Sequence, residues 1–285
     1  MFLFPMTYSG ALFFKRAREY TLVMMEYVKH VGNLRLYIRK DKEDAANFFA
    51  KDISRKLKEF RDVERRDVLF LSSGGSALAA LDRIDESVIG PYLTIGIFDE
   101  RHDPSNRTSN YAQLRKTIFY KRAVSRGCRL IDTTTQKGQT PGDLADFYEH
   151  ELRGWRVRHP RGAIMATMGV AAEDGHTAGI MPFPEDPIRF HDLFERERWI
   201  VAYDTGEKNP FRLRVTTTLT FLRYVDIIGI YLIGVEKGAM FRRLMDGDDY
   251  VELPGRIIKT LPRGAVYTDT ALMKSAGYAV PGKFS

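Results

Sequence analysis

Apolar residues recur along the chain in two alternating patterns, short continuous runs and longer stripes at helical spacing. The run LRLYIRK at 34–40 predicts a strand, and the stripe through 41–60 predicts an amphipathic helix. The same pair of patterns then repeats to the end of the chain. Further strands are predicted at 67–73, 92–100, 128–133, 162–169, 198–204 and 225–234, and further helices at 76–84, 108–120, 142–155 and 235–245.

This alternation predicts an α/β fold, with a mostly parallel, Rossmann-like sheet that carries helices on both faces. No internal repeat or low-complexity linker is visible, so we expect one domain over 34–285 after an N-terminal extension at 1–33. Pro5 and Gly10 interrupt the apolar start of that extension. It packs on the domain or frays, or residues 1–28 form a weakly anchored interfacial segment. The sequence contains no run of about 18 apolar residues, so no transmembrane helix is predicted.

The net charge of +7 over 285 residues favours an anionic partner, whether nucleic acid, membrane surface or phosphorylated small molecule. The basic residues are scattered, however, and stretches such as 55–67 interleave them with acids, which is typical of a solvated helix face. We therefore expect no nucleic-acid and no membrane partner. The single cysteine, Cys128, excludes an intrachain disulfide and favours the cytoplasm. Neither Cys-x-x-Cys nor a His-rich tract occurs, so no metal site is predicted.

Polar segments follow four of the predicted strands, where ligands bind in parallel α/β sheets. The segments are 73–76, 99–101, 174–176 and 234–237, and we expect them along one rim.

The first and last of these segments suit an anion. In Ser73-Gly74-Gly75-Ser76 the glycines let backbone N–H groups approach a phosphate at a helix start, although a plain strand-to-helix turn explains them equally well. Lys237 stands in the first turn of a predicted helix, where the helix dipole disfavours a cation unless a phosphate is bound there.

The other candidates are charged or titratable. Asp99 is able to orient a substrate hydroxyl and Arg101 to hold a phosphate, or the two form a surface ion pair. Arg214 precedes a threonine run and either reaches an anion or belongs to an ordinary strand. His176 is a base at neutral pH if a nearby carboxylate, Asp174 or Glu173, fixes its tautomer; otherwise it is a loop histidine that caps a helix starting near Thr177.

The order and spacing of these motifs resemble the 6-phosphogluconolactonase family, which is related to the glucosamine-6-phosphate deaminases/isomerases, over about 34–270. The matching segments are Ser-Gly-Gly-Ser at 73–76, Asp-Glu-Arg at 99–101, Ser-Asn-Tyr at 109–111, Glu-Asp-Gly-His-Thr-Ala at 173–178 with Pro182, the Arg-x-Thr-x-Thr segment at 214–220 and Gly-x-x-Lys at 234–237.

The resemblance implies a phosphogluconolactonase-like fold and an enzyme that hydrolyses 6-phospho-D-glucono-1,5-lactone to 6-phosphogluconate in the pentose phosphate pathway. His176 would be the general base for water, and Asp174 would orient His176 or a sugar hydroxyl. The phosphate would be held by Arg101, Arg214, Lys237 and the backbone N–H groups of Gly75 and Ser76. The resemblance implies no cofactor, and a monomer or homodimer.

Several positions depart from the family pattern and leave the exact substrate open. Ala77-Leu78 replace Thr-Pro, Ala171 and Ala172 stand where glycine is usual, and Gly179 replaces serine. The chain also lacks the Phe-Asn-Glu-Pro sequence of the deaminases. A sugar-phosphate isomerase or deaminase, and a non-catalytic sugar-phosphate sensor, are the alternative functions on this fold.

Overall fold

The computed structural model describes residues 28–31, 34–261 and 263–280; residues 1–27 of the expected extension lie outside this range. The strands are β1 (Val28–Val31), β2 (Leu34–Arg39), β3 (Val68–Ser72), β4 (Leu93–Ile97), β5 (Asp99–Arg101), β6 (Arg129–Leu130), β7 (Ala163–Met168), β8 (Ile200–Asp204), β9 (Leu213–Thr217), β10 (Ile227–Tyr231) and β11 (Gly264–Asp269). The helices are α1 (Lys42–Glu59), α2 (Ser76–Leu81), α3 (Asn110–Leu114), α4 (Ile118–Ser125), α5 (Pro141–Arg158), α6 (Pro187–Phe194), α7 (Leu219–Leu222), α8 (Gly238–Met245) and α9 (Thr270–Ser275).

Eight strands form the main sheet in the order β1-β2-β11-β10-β7-β3-β4-β6. Every neighbouring pair is parallel except β1–β2, so residues 28–31 of the expected extension form an antiparallel edge strand. The predicted mostly parallel α/β sheet is confirmed. Its order reverses between β3 and β7, the kind of position where ligands bind in open α/β sheets.

The main sheet is covered on both faces, as its continuous apolar strands require. In β3, Leu69 and Leu71 belong to one hydrophobic cluster with α5, whereas Val68 and Phe70 belong to the other with α1. Alternate side chains of a strand point to opposite faces, so each run of apolar residues supplies both cores. Among the described helices, none is both long enough and apolar enough to cross a membrane.

A second, antiparallel sheet consists of β5, β9 and β8. The predicted single strand at 92–100 is wrong, because the chain leaves the main sheet at Phe98 and continues into β5. The N–H of Phe98 donates to the carbonyl of Ser72 in β3 at 2.9 Å, and its own carbonyl accepts from the N–H of Thr217 in β9 at 3.3 Å. Phe98 thus joins the two sheets directly beside the strand ends.

The predicted helix at 108–120 is also wrong in its extent, since two short helices, α3 and α4, replace it. The first helix ends at Leu114, and Thr117 caps the second: its hydroxyl accepts the N–H of Tyr120. The sequence pattern did not predict β1, α6, β11 or α9.

Candidate active site

The ends of β3, β5, β7 and β10 surround one cleft of about 170 Å³. The predicted site residues that line it are Ser73, Gly74, Gly75, Asp99, Arg101, His176, Arg214 and Lys237. Asp174 contacts His176 from outside the lining, and Ser76 is the first residue of α2. The four polar segments therefore lie around one cleft at the strand ends, as expected for a parallel sheet. The roles of their residues stay predictions.

His176 and Asp174 form a hydrogen-bonded pair. Nδ1 of His176 lies 2.7 Å from Oδ1 of Asp174, and the same oxygen accepts the backbone N–H of His176 at 3.0 Å. Burial acts to raise the pKa of Asp174, but the hydrogen bond and charge of His176 outweigh it and lower that pKa. A carboxylate at this place stabilises the tautomer protonated at Nδ1, which leaves Nε2 as a proton acceptor.

The loop that carries His176 is tightly packed. Gly175 has a left-handed φ of +73°, and a Cβ there would lie 2.5 Å from Cγ of Leu253. Its carbonyl accepts the N–H of Gly255 at 2.9 Å, while the carbonyl of His176 accepts the N–H of Ala171 at 3.0 Å. Only glycine satisfies both the dihedral angle and the close approach at 175.

A tight turn follows at 177–180. The N–H of Ile180 donates to the carbonyl of Thr177 at 2.8 Å, and the two central residues have positive φ, 48° at Ala178 and 69° at Gly179. These signs define a type I′ turn, which costs a non-glycine residue roughly 1 kcal/mol or more. The surroundings must therefore hold Ala178 in place.

The second sheet supplies that support. The hydroxyl of Tyr203 on β8 donates to the carbonyl of Gly179 at 2.5 Å and accepts the N–H of Met181 at 3.2 Å. Thr216 on β9 donates its hydroxyl to the carbonyl of Ala178. The sequence did not single out Tyr203, because a hydroxyl on an apolar strand carries no pattern of its own, and it marked Thr216 only within the threonine run and the motif that begin at Arg214.

Asp99 and Arg214 form a buried ion pair at 3.1 Å, with 5% and 2% of their surfaces exposed. Asn110 donates to the backbone carbonyl of Asp99 at 2.9 Å and to its carboxylate at 3.2 Å. Arg214 also donates to the carbonyl of Phe211 and to Oδ1 of Asn209, both at 3.1 Å. The alternative of a surface pair between Asp99 and Arg101 is therefore wrong: Asp99 pairs with Arg214, below the surface.

Arg101 is a half-buried cation that reaches the cleft. Its guanidinium lies over the ring of Phe211, with 4.1 Å from Cζ to the ring centroid. Its Nε is buried without a hydrogen-bond partner, and Nη1 makes a long contact of 3.5 Å with the carbonyl of Thr108. Burial and the charge of Arg214 lower the pKa of Arg101. In the part of the chain that the structure describes, Arg101 forms no ion pair.

Lys237 adds a second cation. Burial lowers its pKa, against the charges of Glu236 and Glu173, which act to raise it. Within the described ranges the ammonium group of Lys237 forms neither a salt bridge nor a hydrogen bond, although its backbone N–H donates to the carbonyl of Gly234 at 3.1 Å. Two positive groups without ion-pair partners in one polar cleft favour an anionic ligand.

The loop after β3 lines the same side. Ser73 is 6% exposed, and its hydroxyl has no hydrogen-bond partner. Gly74 packs against Asn110, where a Cβ would lie 2.4 Å from Oδ1, and Gly75 has a φ of +82°. Ala77, where the family pattern has threonine, also lines the cleft. The loop offers an unused hydroxyl and a close backbone approach, both of which suit an anion.

Glu100 supports the site from below and does not line it. It is fully buried, and its carboxylate accepts from the N–H groups of Arg101, Asn110 and Tyr111 and from the hydroxyls of Ser109 and Thr133. Burial raises its pKa to about 7. These bonds fix α3, which carries Asn110 into the cleft. The Ser-Asn-Tyr motif was the only sequence signal for Asn110, and no role was assigned to it.

In the described ranges no group of three or more His, Cys, Asp or Glu side chains is placed to hold a metal ion.

The fold and the cleft define a Rossmann-like α/β protein with a polar, anion-favouring site at the strand ends. Residues 40–267 match the family model described as glucosamine-6-phosphate isomerases/6-phosphogluconolactonase, and the chain belongs to that family. No curated protein matches the chain.

Solved structures of 6-phosphogluconolactonases share its fold. The one from Plasmodium vivax has a TM-score of 0.69 at 14% identity, covering 92% of this chain and 99% of that one. The one from Shewanella baltica has a TM-score of 0.65 at 20% identity, with 83% and 96% covered. The one from Trypanosoma brucei has a TM-score of 0.63 at 16% identity, with 87% and 99% covered.

Proposed function

We propose that this protein is a lactonase that hydrolyses 6-phospho-D-glucono-1,5-lactone to 6-phosphogluconate. One observation carries the proposal: the His176–Asp174 pair opens onto the same cleft as Arg101 and Lys237. A base and an anion site in one cleft suit a substrate with a reactive carbonyl and a phosphate. Membership of the family and the shared fold with solved 6-phosphogluconolactonases support the same substrate class.

In the proposed reaction Nε2 of His176 takes a proton from water while the water oxygen bonds to the lactone carbonyl carbon. The bond from that carbon to the ring oxygen then breaks. The proton on Nε2 passes to the ring oxygen, which becomes a hydroxyl of 6-phosphogluconate. Asp174 stabilises the imidazolium that exists between these steps, as a carboxylate hydrogen-bonded to Nδ1–H does.

The cationic side chains of the cleft contribute by binding and orienting the substrate. Arg101 and Lys237 would bind the phosphate, with the Ser73 hydroxyl and the backbone of Gly74 and Gly75 beside them. Arg214 lines the same cleft, where the carboxylate of Asp99 offsets its charge and holds it in place. Anchoring the phosphate holds the carbonyl near the water, so part of the rate enhancement comes from orientation.

The test is the hydrolysis rate of freshly made 6-phosphogluconolactone, corrected for spontaneous opening. We expect His176→Ala to lower kcat about 100-fold or more. His191→Ala is the matched control, because His191 on α6 also bonds a carboxylate, Glu195, at 2.9 Å but lies outside the cleft lining. Wild-type protein that does not accelerate hydrolysis would contradict the proposal, as would a His176→Ala variant with unchanged kcat.

Two other outcomes identify the alternatives. Turnover of glucosamine 6-phosphate would favour an isomerase or deaminase, the other activity that the family name includes. Binding of a sugar phosphate without turnover of either substrate would favour a sensor. A cytoplasmic location, and a monomer or homodimer, belong to the same proposal.

A further inference from the structure

Phe211 contacts both arginines of the cleft, although no motif of the sequence analysis assigned it a role. Its ring lies under the guanidinium of Arg101 at 4.1 Å, and its carbonyl accepts from Nε of Arg214 at 3.1 Å. Asn209 fixes this arrangement, because its Oδ1 accepts both the N–H of Phe211 at 3.0 Å and Nη2 of Arg214 at 3.1 Å. One residue thus connects the two guanidinium groups.

The two arginines are held in different ways. Arg214 is neutralised by the carboxylate of Asp99. Arg101 has no carboxylate partner in the described part of the chain, and the like charge of Arg214 acts on it. A carboxylate beneath Arg101 would fix it but would cancel its charge. An aromatic face attracts the cation through its quadrupole and leaves the charge and the N–H edge available.

We propose that Phe211 is a positioning residue for anion binding: its ring holds the Arg101 guanidinium flat, so that Nε and the Nη groups face the phosphate of the substrate. The identity of the substrate rests on the proposed function, but the positioning of Arg101 does not. The buried, unpartnered Nε of Arg101 is the group that a phosphate oxygen would satisfy. Phe211 acts on this group only through Arg101.

The probe is inorganic phosphate, titrated against the full chain by calorimetry, so the measurement does not depend on turnover. Phe211→Leu removes the aromatic face and keeps an apolar side chain. We expect its Kd for phosphate to rise about 3-fold to 30-fold, the range of cation–π interactions from exposed to desolvated sites. Phe211→Tyr keeps the face and should bind phosphate within about two-fold of wild type.

A double-mutant cycle separates positioning from general damage. In the Arg101→Ala background, Phe211→Leu should change the phosphate Kd by less than about two-fold, because its effect passes through Arg101. Phe48→Leu is the matched control: Phe48 on α1 lies under Arg39 at 4.6 Å, outside the cleft lining. Its loss should leave phosphate binding unchanged.

In the lactonase assay Phe211→Leu should raise KM for the phosphorylated lactone by the same factor as Kd, with kcat within about two-fold. A purely structural defect would instead lower the amount of active protein and move kcat. If Phe211→Leu does not fold, as judged by thermal unfolding, Phe211→Met replaces it in every comparison.

Three results would overturn the proposal. The first is no phosphate binding by wild type, and the second is wild-type phosphate affinity in Phe211→Leu. The third is that Phe211→Leu raises the phosphate Kd by the same factor in the Arg101→Ala background as in wild type. Absence of lactonase activity with the phosphate results intact would contradict the proposed function alone. Lactonase activity with phosphate binding indifferent to Phe211 would contradict the positioning role alone.

Discussion

Oδ1 of Asp174 accepts two hydrogen bonds from His176, one from Nδ1 at 2.7 Å and one from the backbone N–H at 3.0 Å. A single carboxylate oxygen therefore fixes the ring and the peptide that carries it. The arrangement sets the tautomer of the imidazole and its direction together, which is what a general base requires.

Asp174→Asn tests this pair. The asparagine amide keeps the size of the side chain but loses the charge that stabilises the imidazolium, so kcat for the lactone should fall about 100-fold or more, with KM within about three-fold. Steady-state kinetics corrected for spontaneous hydrolysis measures both. Glu195→Gln, which alters the carboxylate partner of His191, is the control. A kcat near that of wild type would show that Asp174 does not act on the base.

Lys237→Gln tests the anion site from the side of the main sheet. Hydrogen bonds to charged groups contribute about 1.5–3 kcal/mol, so KM should rise about 10-fold to 100-fold while kcat changes little. Lys121→Gln on α4, where the side chain is exposed, controls for the change in net charge. An unchanged KM in Lys237→Gln would remove this lysine from the site.

Gly179→Ala tests the turn after His176. Its φ is +69°, and a Cβ would lie 2.8 Å from Cβ of Asp99. Gly138 provides the control, since its φ is +78° and nothing lies within 4 Å of an added Cβ. Gly138→Ala should cost only the left-handed conformation, about 1–2 kcal/mol.

Gly179→Ala should cost more than that, because Asp99 must move as well. We expect a lower Tm for Gly179→Ala than for Gly138→Ala, together with weaker phosphate binding as the Asp99–Arg214 pair shifts. Equal Tm values for the two variants would mean that Asp99 moves aside with no loss in the free energy of unfolding.

The burial of Glu100 predicts that the free energy of unfolding depends on pH. Burial raises its pKa to about 7, above the ordinary value of 4.5 for a glutamate, so the folded protein retains this proton more tightly than the unfolded chain does. Its contribution to the free energy of unfolding is then fully present below pH 4.5 and is lost as pH rises through 7, a change on the order of 3 kcal/mol. Glu100→Gln is neutral throughout and should lack this loss.

The measurement is Tm for both proteins from pH 5 to pH 8. The advantage of wild type over Glu100→Gln should shrink as pH rises. A difference in Tm that does not depend on pH would show that the five donors around the carboxylate keep it ionised in the folded state.

Much of the fold could be predicted from local pattern. The apolar run of β3 flanked by polar residues, and the helical stripe of α1, each encode their element without reference to the rest of the chain. The His176–Asp174 loop stood out for the same reason, because a polar segment after an apolar strand marks the ligand edge of a parallel sheet.

The features of the fold and the site that the pattern could not predict depend on residues far apart in the chain. The run YLTIGIFDE at 92–100 reads as one strand, and only the bonds of Phe98 to Ser72 and Thr217 divide it between two sheets. Phe211 has an ordinary apolar side chain, and nothing in the neighbouring sequence marks it. Its contact with Arg101, more than a hundred positions away, exists only because β5 and β9 pair.

The junction at Phe98 has a consequence for substrate selection. His176 and Lys237 follow strands of the main sheet, whereas Arg101 and Arg214 belong to the second sheet. The distance from the base to Arg101 is therefore set across the junction, and not within either sheet. For the proposed substrate, this distance corresponds to the separation of carbonyl carbon and phosphorus. Selectivity for the length of a sugar phosphate then depends on how the two sheets meet. Substitutions at the junction should change this selectivity even though they replace no residue that binds the ligand.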